Sequence, residues 1–260
     1  MTADLALVRN ALKDLVRPKK VAAALVLVAA PALLALAWRA GDRHRFDASV
    51  AYNALSAGLV FGFALVILSV VFGTGVISQE IEQKTIVYLL TRPLPRWRIL
   101  FAKFAAAFLA TTVTVWLATI ALAVVCFGFD GVGHSRLGRD MLILPVGALA
   151  YSALFLLLAT FINRALVVGL VFAFGWESWV PNMPGSFQRI SLMTYLRVLA
   201  PHPKPEAETL DISQVFSLLN PETISQRVAW EVLACVTAAA LLLATIVFTS
   251  REYAPRDDAA

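Results

Sequence analysis

This chain is short of charge. Asp, Glu, Lys and Arg make up 15% of its 260 residues, against roughly 25% in soluble domains. Apolar residues make up 60%, and the mean hydropathy is +0.77; together these exclude an ordinary soluble protein of one or two domains. Cysteine is almost missing. Cys126 and Cys235 both fall inside apolar runs, far from any CxxC or Cys/His ligand spacing, so they read as core fillers and say nothing of redox compartment. His44, His134 and His202 are isolated in predicted external loops and read as solvated. No GxxxxGK[ST] phosphate loop occurs, so the chain is not expected to hydrolyse nucleotide by itself. HExxH, GxSxG and SxxK are missing too, which removes the usual signatures of a hydrolase in the membrane. Nor does any ionisable group lie near the middle of an apolar run, where a proton- or sodium-coupled carrier usually needs one. The net charge is +5 and the pI about 9.5. The basic residues sit beside apolar runs, as membrane topology requires, so nucleic acid is not an expected partner.

What is present is six apolar runs, at 21–38, 54–77, 99–129, 141–162, 165–180 and 228–249. Each is long enough, or nearly so, to cross a bilayer as a helix, and the fold class expected is all-α integral membrane. Pro31 reads as a kink in the first run, since neighbouring helices can satisfy the freed carbonyl. Gly58 and Gly62 have the spacing that lets helices approach closely. The third run, about 31 residues long, must tilt, break or project beyond the lipid. Ala102, Ala106 and Ala110 give it a seam of small residues. Trp97 is expected at the interface, with Lys103 snorkelling towards it. Trp176 and Trp179 mark the outer end of the fifth run.

The segments between and around these runs are also patterned. Leu5, Val8, Leu12, Leu15 and Val16 recur at helical spacing opposite Arg9, Lys13 and Arg17, so residues 1–20 read as an amphipathic helix lying in the interface. A cleaved signal peptide is the other reading, but the polar lead is long for that role. Residues 181–227 are too polar to cross. Phe187, Ile190, Met193, Leu196 and Leu199 recur every three residues, which predicts a short helix along the outer surface. A second one is expected at Ile212–Leu219, and 250–260 form a polar tail. Six spans put both termini on one side, which then carries thirteen Lys and Arg against nine on the other. That modest excess places the termini in the cytoplasm.

The remaining insert, Ser78–Arg98, is the stretch around which the chain is organised. Burying Glu80, Glu82, Lys84, Arg92, Arg96 and Arg98 at the bilayer centre would cost on the order of 15–20 kcal/mol, and the insert's Ile, Val and Leu residues return only about 2. It therefore sits in water at the membrane surface. On a helical wheel Ile81, Tyr88 and Leu89 fall on one side, with Val87 and Leu90 nearly opposite. A helix apolar on both sides wants two partners, its own bundle and another protein. Pro93 and Pro95 stop it.

Glu80-Ile81-Glu82-Gln83-Lys84-Thr85, then Leu89-Leu90-Thr91-Arg92-Pro93-Leu94-Pro95-Arg96 and Lys103, resemble the cytoplasmic coupling segment of ABC type-2 transporter permeases. The family's usual turn is Pro-Val-Ser-Arg where this chain has Pro-Leu-Pro-Arg. The resemblance implies six spans behind an N-terminal elbow helix, a coupling helix between spans two and three, and short outer helices between spans five and six. It also implies a prokaryotic cell membrane location. The partners it implies are two copies of a separate ABC ATPase, which bind the ATP and Mg, a second permease as homodimer or heterodimer, and membrane lipid. No cofactor is expected in this chain. Carried over to this sequence, Glu80, Glu82 and Lys84 offer charge pairs to the ATPase, Thr85 and Tyr88 fill its groove, and Arg92 and Arg96 hold the turn. Two other classes stay open: a scaffold or sensor holding a cytoplasmic partner, and an intramembrane enzyme using Glu177, Glu231 or the loop histidines.

Overall fold

The computed structural model describes residues 8–12, 18–41, 46–82, 95–131, 136–162, 164–183, 185–203 and 224–250. Among these residues every regular element is helical, and six helices are long and apolar enough to cross a membrane. They are α1 (Pro18–Gly41), α2 (48–82), α3 (Arg96–Gly131), α4 (Leu137–Phe161), α5 (165–177, the span continuing helically to Asn182) and α7 (Gln226–Ser250). A short α6 (Leu192–Leu199) lies between α5 and α7, preceded by a 3-10 turn, Gly185–Ile190. Of the amphipathic lead, residues 8–12 are helical with Ala11 buried; residues 1–7 and 13–17 lie outside the described residues. So do His44, His134, residues 204–223 with the expected Ile212–Leu219 helix, and the tail 251–260.

Consecutive long helices run up and down, so the bundle has two ends. One carries the start of α1, the α2–α3 connection, the α4–α5 turn and the end of α7; we call it the near end. The far end carries the end of α1, the start of α2, the end of α3, the start of α4 and the described residues between α5 and α7. α4 is the central helix, packed on α2, α3, α5, α6 and α7. α1 lies at the edge on α3 and leaves Leu25, Val26, Leu33 and Leu34 exposed. The second apolar run begins at Ala48, six residues earlier than its hydropathy predicts, because Asp47 caps it: the Asp47 carboxylate accepts from the Ser49 amide at 2.7 Å and the Val50 amide at 3.3 Å.

Between helices in lipid there is little hydrophobic gain, so close approach of backbones decides the packing. The glycines that provide it are not the expected pair. A Cβ on Gly58 would meet nothing within 4 Å. The tight contacts are on the central helix and its neighbours: a Cβ on Gly147 would lie 2.8 Å from Leu65 Cδ2, on Gly169 2.9 Å from Val70 Cγ1, and on Gly73 3.0 Å from Phe155 Cβ. Gly58 and Gly62 instead fall in a π-helical stretch, Ser56–Leu65, where a Cβ on Gly62 would lie 3.3 Å from the Ala57 carbonyl of its own helix and only 4.0 Å from Met193 Cε. Ala102 and Ala106 are buried as their spacing suggested. The over-long third run breaks: Gly128 takes φ +72 and ψ 175 inside α3, a backbone state that favours glycine. Cys126 is buried, whereas Cys235 faces outward from α7, which corrects its reading as a core filler.

Candidate functional site

At the near end, α2 runs on past the apolar stretch to Glu82, so Glu80 and Glu82 belong to its last turn. Lys84, Thr85, Tyr88 and Arg92 fall in 83–94, outside the described residues. The chain is described again at Pro95, whose carbonyl accepts from the Arg98 amide at 3.0 Å to open α3. Two basic side chains of α3 then tie this end together. Lys103 is 6% exposed, and its Nζ donates to the Val76 carbonyl of α2 at 2.7 Å. Its ammonium lies inside the bundle rather than snorkelling out, because the nearest acceptor is a carbonyl in the C-terminal part of α2, where the helix dipole favours a cation. Arg96 Nη1 donates to the Thr249 carbonyl at 3.0 Å, joining the start of α3 to the end of α7. Trp97 is half exposed at this level, edge-on to Phe101 and under the Arg98 guanidinium, as expected of an interfacial tryptophan. Both described stems of the 83–94 connection are thus anchored to the bundle.

At the far end two buried carboxylates hold α6. Asp140, 1% exposed in the first turn of α4, accepts through Oδ2 from Tyr52 Oη at 2.7 Å and Ser56 Oγ at 3.1 Å, and lies 3.1 Å from His202 Nε2. Burying a carboxylate is costly without partners, and three of them gather on one oxygen. His202 is therefore not a solvated loop residue: it follows α6 into the bundle and packs against Phe61 with ring centroids 5.3 Å apart. Beside it, Arg139 Nε donates to the Leu199 carbonyl at 2.8 Å and Arg136 Nη1 to the Pro201 carbonyl at 2.5 Å.

The second carboxylate, Glu177, is 4% exposed where α5 ends in a π-helical turn. It accepts from the Leu192 amide at 3.2 Å and from the Ser191 hydroxyl, while Ser191 Oγ accepts from the Met193 amide at 3.1 Å. Ser191 is the N-cap of α6, so Glu177 sits at the positive end of that helix and Arg139 at its negative end, both in the favourable sense. The Tyr151 hydroxyl lies beside Glu177 without a hydrogen bond of acceptable geometry. Arg197 of α6 donates to Asn182 Oδ1 at 3.0 Å, and burial holds its pKa below the usual value. Glu231 is exposed.

The result is a short helix fastened at both ends. α6 is expected from the sequence on the surface, yet Leu192, Met193, Leu196 and Leu199 are buried against α4 and α7. Its three-residue pattern splits: Phe187 and Ile190 stay exposed on the 3-10 turn, while Met193, Leu196 and Leu199, in the helix after the Ser191 cap, turn inward. Asp140 and His202 were not legible as a pair in the sequence. The available signal is weak: an acid in the first turn of an apolar run, and a Tyr and a Ser four residues apart on another. Within the bundle Ser69, Thr112, Ser152 and Thr194 also have buried hydroxyls without a partner, each costing about 1–3 kcal/mol if it stays dry.

Two comparisons bear on what such a bundle is. No curated protein matches the chain. Residues 16–176, comprising nearly all of α1 to α5 and so more than half of the chain, match the family described as ABC-2 family transporter protein. With six helices of membrane-crossing length and that match, the chain is a multi-pass membrane protein belonging to the ABC-2 transporter family.

Proposed function

We propose that this chain is the membrane-spanning permease subunit of an ATP-binding cassette exporter, itself without an ATP site. Two copies of a separate ATPase bind and hydrolyse the nucleotide, and a second permease, identical or a sister, completes the pore. The near end faces the cytoplasm of a prokaryotic cell, and residues 78–98 are the lever that the ATPase grips. Closure of the ATPase around nucleotide pushes the lever and moves the bundle between inward- and outward-open states.

The observation that carries this reading is the bracing of the lever's two stems. Lys103 joins α3 to α2 through the Val76 carbonyl, and Arg96 joins α3 to α7. A force on the connection is then felt by three spans rather than dissipated in a loop. At the far end, in this reading, α6 is the outer gate, and opening it requires the Asp140 and Glu177 contacts to part.

The test is co-expression with candidate ATPases. Glu82→Lys is expected to weaken assembly, and Lys103→Met to leave assembly intact while uncoupling it from substrate-stimulated ATP hydrolysis. Unchanged assembly and hydrolysis in Glu82→Lys would count decisively against the lever. Assembly that never responds to nucleotide would favour a scaffold instead.

A further inference from the structure

Near the near end, α4, α5 and α7 do not close on one another. They leave a groove of about 400 Å³ whose wall includes Leu154, Leu158, Phe161, Val168, Leu243 and Val247 and has no polar side chain. Phe161, Val168 and Leu243 remain exposed, so the groove opens sideways, towards the surrounding lipid. Its mouth is at the end of the bundle: Phe161 is the last residue of α4, and Val247 is three residues short of the end of α7. From Phe161 to Leu154 it runs inward by about 10 Å, at 1.5 Å per residue, within the roughly 15 Å of one hydrocarbon leaflet.

Volume and depth together decide what fits. Spread over that depth, about 400 Å³ leaves a cross-section of about 40 Å². A slot of that width suits an extended hydrocarbon chain. The rim supplies a charge. Arg164 is exposed in the turn three residues beyond Phe161. A cation at the mouth of an apolar slot matches a molecule with an anionic head and a long tail.

We infer that the groove is a binding site for one glycerophospholipid with an anionic headgroup, its acyl chain between α4, α5 and α7 and its headgroup at Arg164. The lipid wedges the near ends of these spans and so belongs to the working bundle.

The test uses the full chain, purified in mild detergent, stripped of lipid and titrated with phosphatidylglycerol or phosphatidylcholine, with bound lipid counted by native mass spectrometry. The wild type is expected to hold one phosphatidylglycerol and to prefer it about fivefold over phosphatidylcholine, the worth of one basic residue near an anionic surface. Leu243→Trp, placed on the exposed wall so that the fold tolerates it, should lose both lipids. Arg164→Gln should keep the chain but lose the preference. Wild-type binding in both variants overturns the proposal. Glycerophosphate competing as well as whole lipid also overturns it, since that marks a free anion site. So does cross-linking of Leu243→Cys between two copies, which would show the groove covered by protein.

Discussion

The Asp140 cluster makes a prediction whose sign, and not only its size, can be tested. One carboxylate oxygen serves Tyr52, Ser56 and His202 in a site where Tyr52, Ser56 and Asp140 are all at most 1% exposed. Asp140→Ala strips the acceptor from all three at once. Each buried donor left without its acceptor costs about 1–3 kcal/mol, so a loss of about 3–5 kcal/mol is expected here. Tyr52→Phe removes a single donor to a carboxylate that keeps two others, for about 1.5–3 kcal/mol. In the Asp140→Ala background the same Tyr52→Phe change removes a buried hydroxyl that no longer has a partner, so it is expected to be neutral or to recover stability. The coupling between the two sites should therefore be at least about 1.5–3 kcal/mol. Unfolding in mixed micelles, followed through the six tryptophans, measures all four corners of the cycle. Additivity within about 0.5 kcal/mol would refute the pairing and with it the anchoring of α6 at this end.

Other outcomes are expected elsewhere. Gly73→Ala places a methyl 3.0 Å from Phe155 Cβ and 3.4 Å from the Ser152 carbonyl, atoms that cannot rotate away, so it should lower stability by about 1–3 kcal/mol; Gly58→Ala, with nothing within 4 Å, should raise it by up to about 1 kcal/mol, both read as shifts in the unfolding midpoint. Ser191→Ala removes the cap of α6 at about 1 kcal/mol, and hydrogen exchange should quicken at the Leu192 and Met193 amides while α4 stays protected. Glu177→Gln keeps an acceptor for the Leu192 amide but gives up the charge at the positive end of α6, so its exchange rates should fall between wild type and Ser191→Ala. The Asp47 carboxyl is held below its ordinary 3.8 by the Ser49 hydroxyl and the Ser49 and Val50 amides. A depressed acid contributes stability above its unfolded pKa and loses it as pH falls through the lower, native value. Asp47→Ala should therefore lower the unfolding midpoint at neutral pH, and the gap to wild type should close as the pH is taken well below 3.8.

How far the sequence could be read is clearest residue by residue. The six membrane-length helices were legible because each apolar run declares itself by composition alone. Their ends moved where a local bond overrode hydropathy, as at Asp47, and where a helix carried polar residues beyond the lipid, as in α2 up to Glu82. The insert at 78–98 was legible as a charged interruption, and the helices flanking it gain an anchor in Lys103 that its position in the sequence suggests only as a snorkelling cation. Gly73, Gly147 and Gly169 carry no spacing signature, and the pair that does, Gly58 and Gly62, lost its meaning in a π-helical stretch. His202 was misjudged, since nothing local says that a histidine after a short helix will be drawn beneath it.

Partition between lipid and water is a sum of per-residue terms along a short window, so composition and order alone pointed to six helices of membrane-crossing length. The partners of a buried charge depend instead on how each helix is rotated and shifted against its neighbours. Asp140 meets Tyr52 across 88 positions and His202 across 62, and those meetings follow from the packing of glycines and bulky side chains over the whole bundle. That choice exists only once the helices are assembled, and it is what turned a stretch expected on the surface into a helix fastened within the fold.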